Sequence, residues 1–186
     1  MLRLFIAIKI PGKSKKDILS IIDTLKKSET NTAWTQKNNL HITLKFLGEI
    51  EEETLPDIKQ ALSETAKQYR QFKMNLNKLS FFKSTKKPVI LYLTGENITG
   101  ITKIAHTLFY NIALLNLDSD KIQKYTPHLT LGKIKDKNSL ILLTEEIANL
   151  KINIPLEIDN ISLFSSVLSE KGAKHTELFS AQLNKT

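Results

Sequence analysis

The feature that most constrains this chain is a four-residue pattern that occurs twice, as His41-Ile42-Thr43-Leu44 and as His128-Leu129-Thr130-Leu131. Alternate side chains of a β-strand face the same way, so each His and the Thr two places on emerge on one surface. The Ile or Leu between them then turns toward the core. Each copy therefore predicts a strand that presents one imidazole and one hydroxyl, and we interpret the two copies as the halves of one active site.

The spacing of apolar residues predicts a mixture of strands and helices. Alternation favours strands, whereas recurrence every three or four residues favours helices. Predicted strands cover 2–10, 40–47, 72–77, 89–94, 128–131, 152–158, 161–168 and 177–183, and predicted helices cover 18–25, 58–69, 101–115 and 140–150. The order strand, helix, motif strand, helix, strand runs through twice, which indicates an internal duplication. We expect a bilobal α+β fold, with two pseudo-symmetric antiparallel-sheet lobes, helices on the outer faces and a central cleft.

Nothing in the sequence divides the chain, so we expect one bilobal domain over residues 1–186. Cysteine is absent, which excludes disulfides, thiolate catalysis and Cys-based zinc sites. The first apolar segment carries Arg3 and Lys9 and ends at Pro11-Gly12, unlike a signal peptide. No apolar run approaches the roughly 18 residues of a membrane span. We expect a cytoplasmic monomer that does not contact membranes.

Charge gives a weaker indication of the partner. The chain has 27 basic and 19 acidic residues, for a net charge of +8, which favours polyanionic partners through long-range attraction. Only Arg3 and Arg70 are arginines, and the lysines are spread along the whole chain. A solvated lysine-rich surface and a nucleic-acid contact surface both fit this distribution.

Two imidazoles that face one cleft are suited to concerted acid and base catalysis, since His titrates near neutral pH. Phosphodiester hydrolysis needs this pairing, because one His takes a proton from the attacking water and the other gives one to the leaving alkoxide. Thr43 and Thr130 can bind the non-bridging oxygens as charge grows in the transition state. Two His without a nearby carboxylate motif fall short of the usual three protein ligands of a catalytic metal. We therefore expect neither a metal nor another cofactor.

The other two histidines fit these roles less well. His106 lies in the third predicted helix beside its apolar stripe, and His175 falls in a predicted loop. Neither shares the strand spacing of the motifs, so we expect both to be dispensable for chemistry.

Four aromatic side chains are candidates for the site or for the core. Tyr125, three places before His128, is the favoured candidate to stack on a nucleobase. Trp34 is expected in the core or in a lid, and Phe5 and Phe46 are expected in the core.

Four segments resemble the RNA 2′,3′-cyclic phosphodiesterases, historically called 2′-5′ RNA ligases, of the two-histidine phosphoesterase superfamily. They are Phe5-Ile6-Ala7-Ile8, Asn39-Leu40-His41-Ile42-Thr43-Leu44-Lys45-Phe46-Leu47-Gly48-Glu49, Pro88-Val89-Ile90-Leu91 and Pro127-His128-Leu129-Thr130-Leu131. The resemblance extends in order over essentially the whole chain. It implies a bilobal α+β fold with a metal-independent site between the lobes.

The resemblance also implies residue roles and a substrate. His41 would be the proton donor and His128 the proton acceptor, with Thr43 and Thr130 as phosphate ligands. The substrates would be RNA ends or nucleoside 2′,3′-cyclic phosphates, opened to leave a 2′-phosphate.

The chain departs from the family pattern where arginines are common. Lys133 stands two residues after the second motif, and Gln123 and Lys124 stand in the approach to it. Lysine supplies charge without the bidentate fork or flat stacking face of arginine. We expect Lys133, together with Tyr125, to contribute to substrate binding.

Other functions remain open at this stage. A module that binds RNA ends without turnover would keep the cleft and the basic charge. The same machinery could instead act on 2′-5′ oligonucleotides or a small cyclic phosphate, or join RNA through 2′-5′ linkages.

Overall fold

We describe the protein from a computed structural model, in which residues 1–82, 88–117, 125–169 and 172–185 are described. The elements are β1 (Leu2–Lys9), α1 (Gly12–Lys26), β2 (Thr32–Trp34), β3 (His41–Ile50), α2 (Leu55–Ala66), β4 (Phe72–Phe82), β5 (Val89–Glu96), α3 (Thr99–Ala113), β6 (Leu129–Ile134), α4 (Lys137–Ala148), β7 (Ile154–Ile158), β8 (Asn160–Ser169) and β9 (Gly172–Gln182). Short 3-10 helices cover Lys37–Asn39 and Glu52–Thr54.

The strands form one curled antiparallel sheet in the order β7-β4-β5-β6-β3-β1-β8-β9, with β2 paired to β6. The first lobe is β3, β1, β8 and β9, and the second lobe is β6, β5, β4 and β7. They meet where β3 lies beside β6, through the single residue pair Ile42 and Leu129. Beyond this pair the free edge of β6 is taken by β2. The α+β class and the two-lobed arrangement predicted from the sequence are confirmed.

The duplicated order predicted from the sequence is also present. The series β1, α1, β3, α2, β4 is repeated by β5, α3, β6, α4, β7, after which β8 and β9 complete the first lobe. The strand β4 belongs to the second lobe although it follows the first series, because it pairs with β5 and β7. Both motif strands therefore lie at the centre of the sheet, each with its own outer strands.

The two faces of the sheet bury different residues. On one face, Leu4, Ile6 and Ile8 of β1 join a single core with the apolar stripes of the helices. That core contains Ile18, Ile22, Leu25, Ile58, Leu62, Ile101, Ile104, Leu108, Ile112 and Leu143 from the helices. The alternate residues Phe5 and Ala7 form a separate buried cluster with Phe164 on the other face. The helices thus leave one face of the sheet open for a cleft.

None of the helices in the described parts of the chain is long and apolar enough to cross a membrane.

Candidate active site

The two motifs lie side by side at the junction of the lobes. His41 begins β3, and His128 immediately precedes β6. The intervening residues Ile42 and Leu129 form the junction pair and are fully buried. Both histidines, Thr43 and Thr130 line one cleft. The strand spacing therefore places the side chains as the sequence predicted.

Each motif strand carries a β-bulge immediately after its His-x-Thr sequence. In the first lobe, Ala7 pairs with Thr43, but the preceding residue of β1 pairs beyond Leu44. In the second lobe, Tyr92 pairs with Thr130, and the preceding residue of β5 pairs beyond Leu131. A bulge adds one residue to a strand and re-aims the side chains that follow. The Leu of each motif is this extra residue, and both leucines are buried in the core.

The bulges return the third residue after each Thr to the cleft face. Those residues are Phe46 and Lys133, which both line the cleft and are exposed. We expected Phe46 in the core, and this prediction is wrong, because its side chain is 70% exposed. Strict alternation from Thr130 would turn Lys133 away from the cleft, and the bulge at Leu131 brings it back to the cleft face.

In each strand, the two positions between the Thr and this third residue face away from the cleft. In β3 the second is Lys45, whose Nζ lies 4.2 Å from the centre of the Phe109 ring. In β6 it is Gly132, where an added Cβ would lie 2.8 Å from Cγ2 of Thr32 and 3.2 Å from Cε3 of Trp34. Glycine is therefore favoured there, since β2 pairs with β6 at that point.

Equivalent hydrogen bonds fix the two imidazoles. Nδ1 of His41 donates to the carbonyl oxygen of Asn39 at 2.8 Å, and Nδ1 of His128 donates to that of Thr126 at 2.8 Å. A carbonyl only accepts, so each Nδ1 carries a proton and each neutral ring keeps its lone pair on Nε2. The Thr43 hydroxyl lies 3.1 Å from Nε2 of His41. The two nitrogens available for proton transfer are therefore the two Nε2 atoms.

Aromatic side chains support both imidazoles. The His41 ring lies 4.9 Å from that of Phe5, which stacks on Phe164 at 5.2 Å. The His128 ring lies edge-on to that of Phe82 at 4.8 Å, and Phe82 stacks on Tyr92 at 4.1 Å. Each histidine thus rests against one stacked pair, which restricts its orientation.

The electrostatic setting of His41 disfavours its charged form. Burial lowers the pKa of His41 from its usual 6.5 to about 4, against the opposing effect of the hydrogen bond to Asn39. Repulsion from His175 and His128 contributes to this lowering. In the free protein, His41 is therefore neutral at pH 7.

The cleft has a volume of about 710 Å³, within the range of roughly 300–1,000 Å³ that is usual for small-molecule sites. Arg3 and Lys133 bring positive charge to its lining. Among the described residues that line it, none is Asp or Glu. This composition suits an anionic ligand. In the described parts of the chain, no three His, Asp or Glu side chains form a cluster that could hold a metal ion.

The other residues expected to bind substrate have different outcomes. Tyr125 is absent from the cleft lining, because its hydroxyl donates to the carbonyl oxygen of Thr43 at 3.0 Å and its ring packs on the core. Burial raises the pKa of this phenol. This position favours a structural role, in which Tyr125 links the two lobes by a hydrogen bond, over the stacking role that we expected. Gln123 and Lys124 lie outside the described residues.

Sequence reasoning missed one residue at the centre of the site. His175 was expected in a loop, but it lies in β9 and lines the cleft, so that prediction is wrong. The signal was present, since Gly172 follows a predicted strand and can close a hairpin. After it, Ala173 and His175 are half-buried, whereas their neighbours Lys174 and Thr176 are exposed. His106 lies in α3 and is exposed, away from the cleft.

Residues 14–169 match the family described as the 2′-5′ RNA ligase superfamily. The chain belongs to this family. The resemblance predicted from the motifs is therefore confirmed.

Relatives of similar length support this assignment. The chain is 27% identical over 184 residues to the RNA 2′,3′-cyclic phosphodiesterase of Thermotoga maritima, covering 97% of this chain and 95% of that protein. It is 30% identical over 174 residues to the RNA 2′,3′-cyclic phosphodiesterase of Methanocaldococcus jannaschii, covering 92% and 95%. Its fold is similar to that of E. coli LigT in apo form, with a TM-score of 0.78, 19% identity and 98% of both chains covered.

Proposed function

We propose that the protein is an RNA 2′,3′-cyclic phosphodiesterase that hydrolyses the terminal cyclic phosphate of RNA ends or nucleosides to a 2′-phosphate. The observation that carries this proposal is the matched pair of imidazoles, each with Nδ1 held by a backbone carbonyl and Nε2 left for proton transfer. Family membership and the names of the curated relatives support the same activity.

The proposed reaction is an in-line displacement at phosphorus. Nε2 of His128 takes a proton from water as the water oxygen forms its bond to phosphorus. The bond from phosphorus to the 3′ oxygen breaks, and His41 gives the proton on its Nε2 to that oxygen. The product carries a 2′-phosphate and a free 3′-hydroxyl, which balances the added water. These are the roles that the family resemblance implies for the two residues.

The remaining residues bind the phosphate. The hydroxyls of Thr43 and Thr130 donate to the non-bridging oxygens, where negative charge accumulates in the transition state. Lys133 and Arg3, both in the cleft lining, supply positive charge to the same group. Because the donors are fixed on strands, their orientation is set before the substrate arrives.

The donor role of His41 depends on the substrate. With a pKa of about 4 in the free protein, the imidazole is neutral at pH 7. A phosphodiester anion against Nε2 favours the charged form, because an opposite charge at short range raises the pKa of a base. We propose that binding of the substrate is coupled to protonation of Nε2 of His41. The anion offsets the desolvation that keeps the free residue neutral.

The two imidazoles supply both proton transfers, and the threonines and cations stabilise the charge. We therefore propose that the reaction needs no metal and no other cofactor.

Phosphorus NMR of the product tests this function directly. The protein is incubated with a nucleoside 2′,3′-cyclic phosphate and with an RNA oligonucleotide that ends in one, both in the presence of EDTA. We expect the 2′-phosphate as the product of both substrates, at a rate unchanged by EDTA. A 3′-phosphate product would contradict the assigned leaving group, and turnover only with added metal would contradict the mechanism. Binding to RNA ends without turnover would favour a binding module instead.

A further inference from the structure

His175 lies against both Phe5 and the candidate proton donor His41. On β9 it stands opposite Ser166 of β8, which also lines the cleft. Its ring lies edge-on to that of His41, with centres 5.4 Å apart and an interplanar angle of 88°. It also lies edge-on to Phe5 at 4.8 Å. A third imidazole thus belongs to the wall of the cleft.

The two ring nitrogens of His175 have different surroundings. Nδ1 is shielded from solvent and has no hydrogen-bond partner in the described parts of the chain. A proton on this atom would be a buried donor without an acceptor, which is costly, and more so in the cationic ring. The neutral ring can use its proton in a hydrogen bond only when that proton is on Nε2, so this is the tautomer that can bind a ligand oxygen. Since the residue is half-buried and lines the cleft, the edge that carries Nε2 is the one open to a ligand.

Among the described residues that line the cleft, no Asp or Glu is present to stabilise a charged His175. Arg3 of β1, Lys133 of β6 and His128 line the same cleft and are cationic or can become so. On β9 itself, the carboxylate of Glu177 is engaged by Lys9 at 2.8 Å and by the Ser162 hydroxyl at 2.8 Å. Burial lowers the pKa of His175. The neutral imidazole can therefore donate a hydrogen bond from its N–H group near neutral pH.

We propose that His175 is a third substrate-binding histidine, which donates its Nε2–H to an oxygen of the substrate phosphate on the His41 side of the cleft. The identity of that phosphate, as part of a cyclic phosphodiester, rests on the proposed function. The donor geometry does not depend on it, so inorganic phosphate is a sufficient probe.

Two variants separate the hydrogen bond from the packing. His175→Phe keeps a ring against Phe5 and His41 but removes the N–H, whereas His175→Gln keeps an N–H donor without the ring. We expect His175→Phe to lose about ten- to a hundredfold in kcat/KM, mainly through a higher KM, as is typical of a hydrogen bond to a charged group. His175→Gln should retain kcat/KM within about tenfold of wild type. His106→Gln on α3 is the matched control and should be unchanged.

Wild-type kinetics in His175→Phe would overturn the proposal. A loss confined to kcat and equal in both His175 variants would also overturn it, because only packing against His41 would then matter.

A measurement on the wild-type protein avoids the risk that a variant fails to fold and does not require turnover. Nitrogen-15 NMR of the imidazoles at pH 7 should show His175 as the neutral Nε2–H tautomer. Added inorganic phosphate should shift the Nε2 signal of His175 but not that of His106. An Nδ1–H tautomer, or no response to phosphate while His128 responds, would contradict the proposal. If the cyclic phosphate is not hydrolysed but this response is seen, the proposed function fails and the phosphate site stands.

Discussion

The two halves of the site share a backbone but differ in what surrounds each histidine. In both lobes a carbonyl two residues earlier holds Nδ1, a Thr follows two residues later, and a bulge falls at the next Leu. The His41 ring is half-buried and lies against Phe5 and a second imidazole, that of His175, and burial lowers its pKa. His128 is half-buried and rests on Phe82 and Tyr92. The duplicated geometry thus presents two equivalent Nε2 atoms to the cleft, and we propose that their unequal surroundings give them different roles.

Removal of either imidazole should have the largest effect. Each proton-transfer role contributes roughly 10²- to 10⁴-fold in rate, so we expect His41→Ala and His128→Ala each to lose kcat of that order. The double variant should lose far less than the product of the two losses, since both residues act on one transition state. Steady-state kinetics on a 2′,3′-cyclic nucleotide, with circular dichroism as a fold control, measure this. Multiplicative losses would mean that the two histidines act independently.

The low pKa of His41 predicts a loss of stability in acid that depends on this residue. The unfolded chain binds a proton near pH 6.5, whereas folded His41 binds one only near pH 4. Its contribution to the free energy of unfolding is therefore complete above pH 6.5 and is lost as the pH falls toward 4. The loss is at most roughly 3 kcal/mol.

Urea unfolding of wild type and His41→Gln between pH 7 and pH 4 tests this prediction. The unfolding free energy of wild type should depend more steeply on pH over that interval than that of His41→Gln. The difference in slope should correspond to the uptake of up to one proton on unfolding. Parallel dependences of the unfolding free energy on pH would show that burial does not suppress protonation of His41.

The close packing at Gly132, the position equivalent to Lys45, predicts a stability effect of intermediate size. A methyl group at Gly132 would lie 2.8 Å from Cγ2 of Thr32, so Gly132→Ala should lower the free energy of unfolding by about 1–3 kcal/mol. Thr32→Ser removes that Cγ2 but keeps the hydroxyl that bonds Thr30. In a Thr32→Ser background, Gly132→Ala should cost less. An equal cost in both backgrounds, measured by urea unfolding, would rule out this contact as the reason for glycine.

The smallest of these effects concerns the pair Phe46 and Lys133, which occupy equivalent positions in the two lobes. Lys133→Ala should raise KM about tenfold and weaken its dependence on salt, because it removes a cation from the phosphate site. Phe46→Ala removes no charge and should leave the salt dependence unchanged. The same salt dependence in wild type and Lys133→Ala would place Lys133 outside the phosphate site.

The local features of this architecture were predictable from the sequence because they depend on near neighbours. Alternation and helical spacing predict the strands and helices, and the repeated motif predicts the four cleft residues His41, Thr43, His128 and Thr130. That the two lobes form one domain, and that the protein is a monomer, stay predictions.

The missed features depend on pairing between distant segments. Phe46 reaches the cleft because β1 pairs across a bulge in β3, and strict alternation cannot show an extra residue. His175 approaches His41 because β8 pairs with β1 and carries β9 with it. Tyr125 precedes the second motif in sequence, but its hydroxyl bonds the backbone of the first motif strand.

A change of leaving group tests most directly whether the two equivalent histidines have different roles. A p-nitrophenyl phosphodiester releases an anion that needs no protonation, so only the proton acceptor is required. We expect His41→Ala to recover activity relative to wild type on this substrate, by about the 10²- to 10⁴-fold that the donor contributes, whereas His128→Ala should not. Selective recovery of His128→Ala would reverse the two roles. Recovery of neither, together with loss of binding in both variants, would show that the histidines bind phosphate and do not transfer protons.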